Sequence, residues 1–279
     1  MQAEGLRLTA LHTAVADLMR QACAQFVLPR FRALEADQIQ TKTQPKDLVT
    51  VADVEAEAWL TPRLAALVPG SLVLGEEAAS RGEADSALLT QSAPVWTLDP
   101  IDGTYTFVQG REAFCSMVAL VQDRHVLASW ILFPTSDRLY SAGRDQGAFC
   151  QAKRGADLQP LSQLSSPAQA QTLGAVSTRF FQQAPWAERR AGILAALAPT
   201  RPTGCAGLDY CQAAEGNLAF VAMAALNPWD HAPGTLLVAE AGGQVRLNGG
   251  TYDPAVAQGA LISGCNPARL AQAAQLLQG

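Results

Sequence analysis

The sequence is poor in histidine, has no run of basic residues and carries no closely paired cysteines. Three histidines, His12, His125 and His231, lie far apart in 279 residues, so a histidine-based zinc centre has little to build from. The six cysteines, Cys23, Cys115, Cys150, Cys205, Cys211 and Cys265, form no Cys-x-x-Cys pair. In a chain of this length they read as reduced, mostly buried thiols rather than as a disulfide framework or a zinc site. With 20 Lys+Arg against 25 Asp+Glu the net charge is -5, and no Lys/Arg cluster can follow a phosphate backbone, which excludes nucleic acid as the principal ligand. No apolar stretch reaches the roughly 18 residues that a membrane helix needs, and residues 1–5 lack the basic segment and apolar run of a secretory signal. The expectation is a cytoplasmic protein that makes no membrane contact. What is present is 49% hydrophobic and 16% charged residues, enough for a large core in one large domain or two joined subdomains.

Leu8, Leu11, Val15, Leu18, Met19, Ala22, Phe26 and Val27 recur at the three- and four-residue spacing of an amphipathic helix. A polar loop over 41–46 follows, and Asp47-Leu48-Val49-Thr50 leads into a second helix running towards Leu67, with Pro62 starting or kinking a turn. From 71 to 149 the texture changes to short β-branched and aromatic runs over 72–74, 95–98, 115–121, 126–133 and 138–140, which read as a largely antiparallel sheet. Beyond Lys153, strand candidates over 173–177, 218–221, 244–247 and 260–263 alternate with helical stretches over 186–197, 206–215, 229–241 and 267–277. The pattern predicts two layered subdomains, an N-terminal α+β part over 1–150 and a C-terminal α/β part over 151–279.

The most informative segment is Trp96-Thr97-Leu98-Asp99-Pro100-Ile101-Asp102-Gly103-Thr104. An apolar strand ends in two carboxylates, Pro100 fixes the turn, and Gly103 lets the backbone approach a ligand closely. Two acids at the end of a buried strand repel each other and are tolerated when a hard cation such as Mg²⁺ neutralises them. Read alone, Asp99 and Asp102 serve equally well as caps of a turn and helix. Gly75-Glu76-Glu77 also follows an apolar strand, and Asn227-Pro228-Trp229-Asp230 sets an acid at the start of a helix. Each again has a plain alternative, a solvated loop acid or a helix N-cap.

Taken together, Asp47-Leu48-Val49-Thr50-x-x-Asp53, Gly75-Glu76-Glu77, Asp99-Pro100-Ile101-Asp102-Gly103-Thr104, Trp229-Asp230 and Glu240-Ala241-Gly242-Gly243 stand in the order and approximate spacing of the inositol monophosphatase family, which the chain resembles from Lys42 to Gly243. The resemblance implies a layered α-β-α-β sandwich of the inositol monophosphatase and fructose-1,6-bisphosphatase type, and hydrolysis of a small phosphate monoester with two or three Mg²⁺ ions. It implies that Glu76, Asp99 and the Ile101 carbonyl hold one ion, that Asp99, Asp102 and Asp230 hold a second, weaker and lithium-sensitive one, and that a third sits near Glu76. It implies further that Thr104, held by Asp53, orients the attacking water, with Glu76 also serving catalysis, and that the Gly103 and Thr104 N–H groups receive phosphate oxygens. Lys42 matches a basic position near the site, where a solvated loop lysine is the plain alternative. Ser177, Cys205 and Ala206 would line the leaving-group side. His231 could orient a ligand, although a capped, partly exposed histidine is the simpler reading.

Met223 stands where the family pattern places an acid that grips polyol hydroxyls, and it reads as a core side chain. Histidinol phosphate, a sugar phosphate or a 3'-phosphoadenosine nucleotide therefore compete with inositol phosphate as substrate. A regulatory protein that keeps the fold and binds a partner is the alternative from another class. A homodimer is expected by resemblance.

Overall fold

The computed structural model describes residues 8–161, 172–182 and 184–278; residues 1–7 lie outside it. Helix α1 (Leu8–Ala22) continues as a π-helical turn over Cys23–Val27, and its buried stripe includes Leu11, Val15 and Met19. Two short strands, β1 (Ile39–Thr41) and β2 (Leu48–Thr50), pair antiparallel and hold the loop carrying Lys42 between them. Helix α2 (Val51–Leu67) starts at a reciprocal cap in which the Thr50 and Asp53 side chains each bond the other's backbone. Pro62 lies inside α2 and neither starts nor ends a turn. It is tolerated there because Pro62 and Ala58, whose carbonyl loses its helical donor, both face outwards.

Strand β3 (Leu72–Gly75) runs into the short α3 (Glu76–Ser80), and β4 (Val95–Asp102) into α4 (Thr104–Val108). β5 (Cys115–Gln122), β6 (His125–Phe133), β7 (Arg138–Gly143), β8 (Gly147–Gln151) and β9 (Leu158–Pro160) then complete a seven-stranded sheet in sequence order. Only β3 and β4 pair parallel in it. Both faces are buried over β4–β7, which explains apolar runs without polar alternation there. Along β5, Cys115, Met117, Ala119 and Val121 face one core while Val118 and Leu120 face the other.

The second half supplies β10 (Gly174–Val176), α5 (Trp186–Leu197), β11 (Thr200–Pro202), α6 (Ala206–Ala214), β12 (Phe220–Ala225), α7 (Pro228–Glu240), β13 (Gln244–Leu247), β14 (Gln258–Gly264) and α8 (Pro267–Leu277). Its five strands order as β11-β10-β12-β14-β13. Helices α1 and α2 cover one face of the larger sheet. Helices α6 and α7 pack between the two sheets, and α5 and α8 close the outer face of the smaller one. The layers therefore run α-β-α-β-α, the layered two-sheet sandwich that the resemblance implies, closed on its outer side by α5 and α8. No helix among the described residues is long and apolar enough to cross a membrane.

Candidate active site

Parallel pairing of β3 with β4 sets Gly75 beside Leu98, so Glu76 and Asp99, the next residue on each, emerge side by side. Asp102 lies three positions after Asp99, a spacing that in a regular strand would send them to opposite faces. A bulge corrects this. Asp99 pairs with Met117 and Asp102 with Cys115, so β4 takes one more step than β5 between the two pairs. Both carboxylates consequently point to the face of α6 and α7, while Ile101 is buried on the opposite one. The Ile101 N–H donates to Asp99 Oδ1 at 2.9 Å, and the Ile101 carbonyl accepts the Thr104 hydroxyl at 2.9 Å.

Asp230 arrives from the other sheet's side, in the first turn of α7, where Asn227 Nδ2 donates to its Oδ2 at 3.2 Å. One carboxylate oxygen each from Glu76, Asp99 and Asp230 lies within 4.8 Å of the others. Asp102 lies close enough for its charge to act on all three. Its Oδ2 accepts Gly207 N–H at 2.7 Å and the Cys205 thiol at 3.0 Å, with Cys115 Sγ at 3.6 Å.

Burial first, and then the repulsion of neighbouring acids, holds Asp99 well above the ordinary carboxylate range. Glu76 is raised by burial. Asp230 is pushed up to about 8 by burial, then by Glu76 and Asp102. One compensating cation is at hand, since Lys42 Nζ donates to Glu76 at 2.8 Å and Glu77 at 2.7 Å. Burial works against that ammonium, but the two glutamates outweigh it and hold its pKa above the usual lysine value. Lys42 is thus largely covered and paired, not a solvated loop lysine, because the β1–β2 hairpin folds it over α3. Crowded carboxylate oxygens with one lysine between them are a donor set that fits a hard divalent cation such as Mg²⁺.

Beside this group the Thr104 hydroxyl stands 3.5 Å from Asp53 Oδ1. The other Asp53 oxygen accepts Thr50 N–H at 2.8 Å and the Thr50 hydroxyl at 2.6 Å. Burial pushes Asp53 up to about 8. Gly103 takes φ 87° and caps α4, where the first N–H groups have no helical acceptor. A Cβ on Gly103 would meet the Ala113 carbonyl at 2.8 Å and Cys205 Cβ at 3.1 Å, so only glycine fits the turn.

Other expected residues are placed less directly. The Ser177 hydroxyl, in the loop after β10, accepts Arg179 N–H at 3.2 Å. Cys205 is buried against Asp102 and Ala206 opens α6. Burial lifts the Cys205 thiol to about 12, so it is a protonated donor. His231 is neither partly exposed nor turned to the acids. It is 2% exposed, its Nε2–H donates to the Ala225 carbonyl at 2.8 Å, and Nδ1 accepts the Tyr210 hydroxyl at 3.0 Å. Burial lowers its pKa to about 4. Met223 packs in the core between β12 and the central helices.

Two contributors escape a reading of the sequence. The buried Glu57 carboxylate accepts Glu77 N–H and Ala78 N–H, both at 2.7 Å, and so anchors the start of α3. Cys115 joins Asp102 from the directly opposite position on the neighbouring strand β5. Glu57 lies four residues after Asp53, one helical turn along the same face, which is the one local clue to its position.

Comparison with known proteins agrees with this architecture. The fold is that of inositol monophosphatase-II from Staphylococcus aureus MSSA476, with TM-score 0.77, 24% identity, and 96% of this chain and 94% of that chain covered. SaIMPase-II solved with inositol monophosphate bound superposes with TM-score 0.74 at 22% identity, over 96% and 94% of the two chains. In sequence, the inositol-1-monophosphatase of Mycobacterium leprae is 34% identical over 209 residues, 75% of this chain and 71% of that protein. The pattern of the Inositol monophosphatase family matches residues 9–278, and the chain belongs to that family of phosphoric monoester hydrolases.

Proposed function

We propose that the protein is a Mg²⁺-dependent phosphatase of a small, soluble phosphate monoester, acting by in-line attack of water without a phosphoenzyme. The observation that carries this reading is the convergence of Glu76, Asp99 and Asp230 within 4.8 Å, with Asp102 alongside and Thr104 against Asp53. Five acids around an anionic ester repel it unless cations stand between. Glu76, Asp99 and the Ile101 carbonyl would hold one ion, Asp99, Asp102 and Asp230 a second and lithium-sensitive one, and Glu76 a third. Bound there, Mg²⁺ would neutralise the ester, acidify water and stabilise the leaving oxygen.

The chain's own groups do the rest. Thr104 aligns the water with its hydroxyl oxygen, and Asp53, fixed by Thr50, holds that hydroxyl in place. The Gly103 and Thr104 N–H groups at the start of α4 receive phosphate oxygens. Ser177, Cys205 and Ala206 line the leaving-group side, and Met223 lies in the core where a polyol-gripping acid would be. The substrate is accordingly one whose leaving group makes no demand on a carboxylate at that position, such as histidinol phosphate, a sugar phosphate or a nucleotide monoester. The reading includes the division into parts over 1–150 and 151–279, a cytoplasmic location and a homodimer.

The test is phosphate release from inositol 1-phosphate, histidinol phosphate, a hexose phosphate and a 3'-phosphoadenosine nucleotide, each with Mg²⁺ and with chelator. Metal-dependent release from one or more is expected. Silence across all four, with Mg²⁺ still bound, would instead favour a partner-binding role.

A further inference from the structure

Two sulfurs stand against one of the acids. Cys115 Sγ and Cys205 Sγ are 3.8 Å apart, and the same oxygen, Asp102 Oδ2, lies 3.6 Å from the first and 3.0 Å from the second. All three side chains are buried. The phosphatase chemistry calls on neither sulfur as a reactive group.

The spacing is that of a coordination polyhedron. On a tetrahedral Zn²⁺, with Zn–S near 2.3 Å and Zn–O near 2.0 Å, two sulfurs stand about 3.8 Å apart and each stands about 3.5 Å from the oxygen. The sulfur pair already has the first separation and Cys115 nearly has the second. Only the Cys205–Asp102 edge must open, by a few tenths of an ångström on this estimate. Three protein ligands with a fourth position left for water or an anion is a familiar zinc arrangement.

The surroundings hold these atoms in place. A Cβ on Gly207 would come within 2.4 Å of Cys115 Sγ, so the sulfur sits in space that only glycine leaves open. The Gly207 N–H donates to Asp102 Oδ2 at 2.7 Å, the kind of outer contact that orients a ligand oxygen. A sequence reading misses the group because its members stand at 102, 115 and 205, on no common motif.

We propose that Cys115, Cys205 and Asp102 form a site for a thiophilic divalent cation, Zn²⁺ or Cd²⁺, whose occupation draws Asp102 away from Mg²⁺ and inhibits the phosphatase. Binding releases the two thiol protons to solvent. Mg²⁺ and Zn²⁺ then compete for one carboxylate, the hard ion through oxygen alone and the softer one through the two sulfurs as well. The inhibitory half rests on the function proposed above. The binding half does not.

The experiment titrates the purified full chain with Cd²⁺ alone and follows the ultraviolet cadmium–thiolate charge-transfer band. Saturation at one equivalent is expected, with Zn²⁺ abolishing the band, and with at least tenfold weaker binding in both Cys115→Ser and Cys205→Ser. Absence of the band, or its persistence at wild-type affinity in both variants, overturns the site. Should either variant fail to fold, X-ray absorption of the wild-type cadmium complex counts the sulfurs directly: two support the site, and none or four overturn it. Inhibition is read separately, as loss of Mg²⁺-dependent phosphate release on adding Zn²⁺, relieved by more Mg²⁺. A two-sulfur site with unchanged turnover overturns the inhibitory half. A two-sulfur site in a chain that hydrolyses no ester supports binding and counts against the phosphatase reading instead.

Discussion

The Glu57 carboxylate occupies the space that a side chain on Gly75 would need: a Cβ there would stand 2.4 Å from Glu57 Cδ. That same carboxylate fixes the Glu77 and Ala78 N–H groups, and Glu76 is the first residue of the helix they open. Gly75→Ala therefore pushes on the group that positions Glu76. It is expected to lower stability by about 1–3 kcal/mol and to raise the Mg²⁺ concentration needed for half-maximal turnover. Denaturant melts and a Mg²⁺ titration read the two effects, and a variant unchanged in both would remove Glu57 from any part in placing Glu76.

Asp99→Asn separates charge from shape. The amide oxygen can still accept the Ile101 N–H, so the bulge survives, while a charge that burial and four neighbouring acids oppose is removed. Turnover is expected to fall roughly a hundredfold or more, while metal-free thermal stability holds or rises. Retention of most of the turnover would show that Asp99 is not a metal ligand.

In chelator, stability should depend on pH in a direction fixed by the acids. Asp53 and Asp230 have folded-state pKa values of about 8, above the unfolded value of 3.8. The folded chain thus binds more protons than the unfolded one between those limits, and stability is lost as pH rises through that window. His231, lowered to about 4, acts in the opposite sense below 6.5 and is neutral in both states above it. Asp209, raised to about 7 by burial and paired with Arg201 away from these acids, adds its own loss below that pH, so the clean window is about 7 to 8. The metal-free melting temperature should fall across it, and Mg²⁺ should remove most of the slope. A flat metal-free profile, or one that Mg²⁺ leaves unaltered, would contradict the coupling of these acids to a cation.

Met223 bears on substrate choice through what it cannot accept. Because its side chain is packed in the core, Met223→Glu is expected to bury a charge among apolar neighbours and cost several kcal/mol, with no gain in kcat/KM for inositol 1-phosphate. Thermal melts and the substrate panel test both. A stable variant with a new preference for polyol phosphates would show that position 223 reaches the leaving group.

How much of this was legible depends on the range of the interaction involved. Helices α5 and α8 begin and end where the sequence predicts, since each has a one-sided apolar stripe bounded by turn residues. The acids at strand ends were legible as a set because order along the chain survives folding. The bulge was not. The apolar run ends at Leu98, yet the strand continues to Asp102, and the extra residue exists only in relation to β5. Strands β1 and β2 have three residues each, too few to display alternation, so the hairpin that delivers Lys42 read as a loop. Glu57, Cys115 and Lys42 act through partners elsewhere in the chain, which no local pattern encodes.

Helix α7 begins with Asp230 near one end and finishes at Glu240, whose carboxylate accepts the N–H groups of Asp145, Gln146 and Gly147 in the turn between β7 and β8. Thirteen residues of helix span about 20 Å, so the helix acts as a strut moored at its far end to a surface turn of the larger sheet. Loosening that mooring would let the strut slide or tilt and would detune the proposed metal site from a distance, without disturbing any of the groups on β3 and β4. Variation in the β7–β8 turn is thus a way to adjust cation affinity independently of the residues that meet the ester.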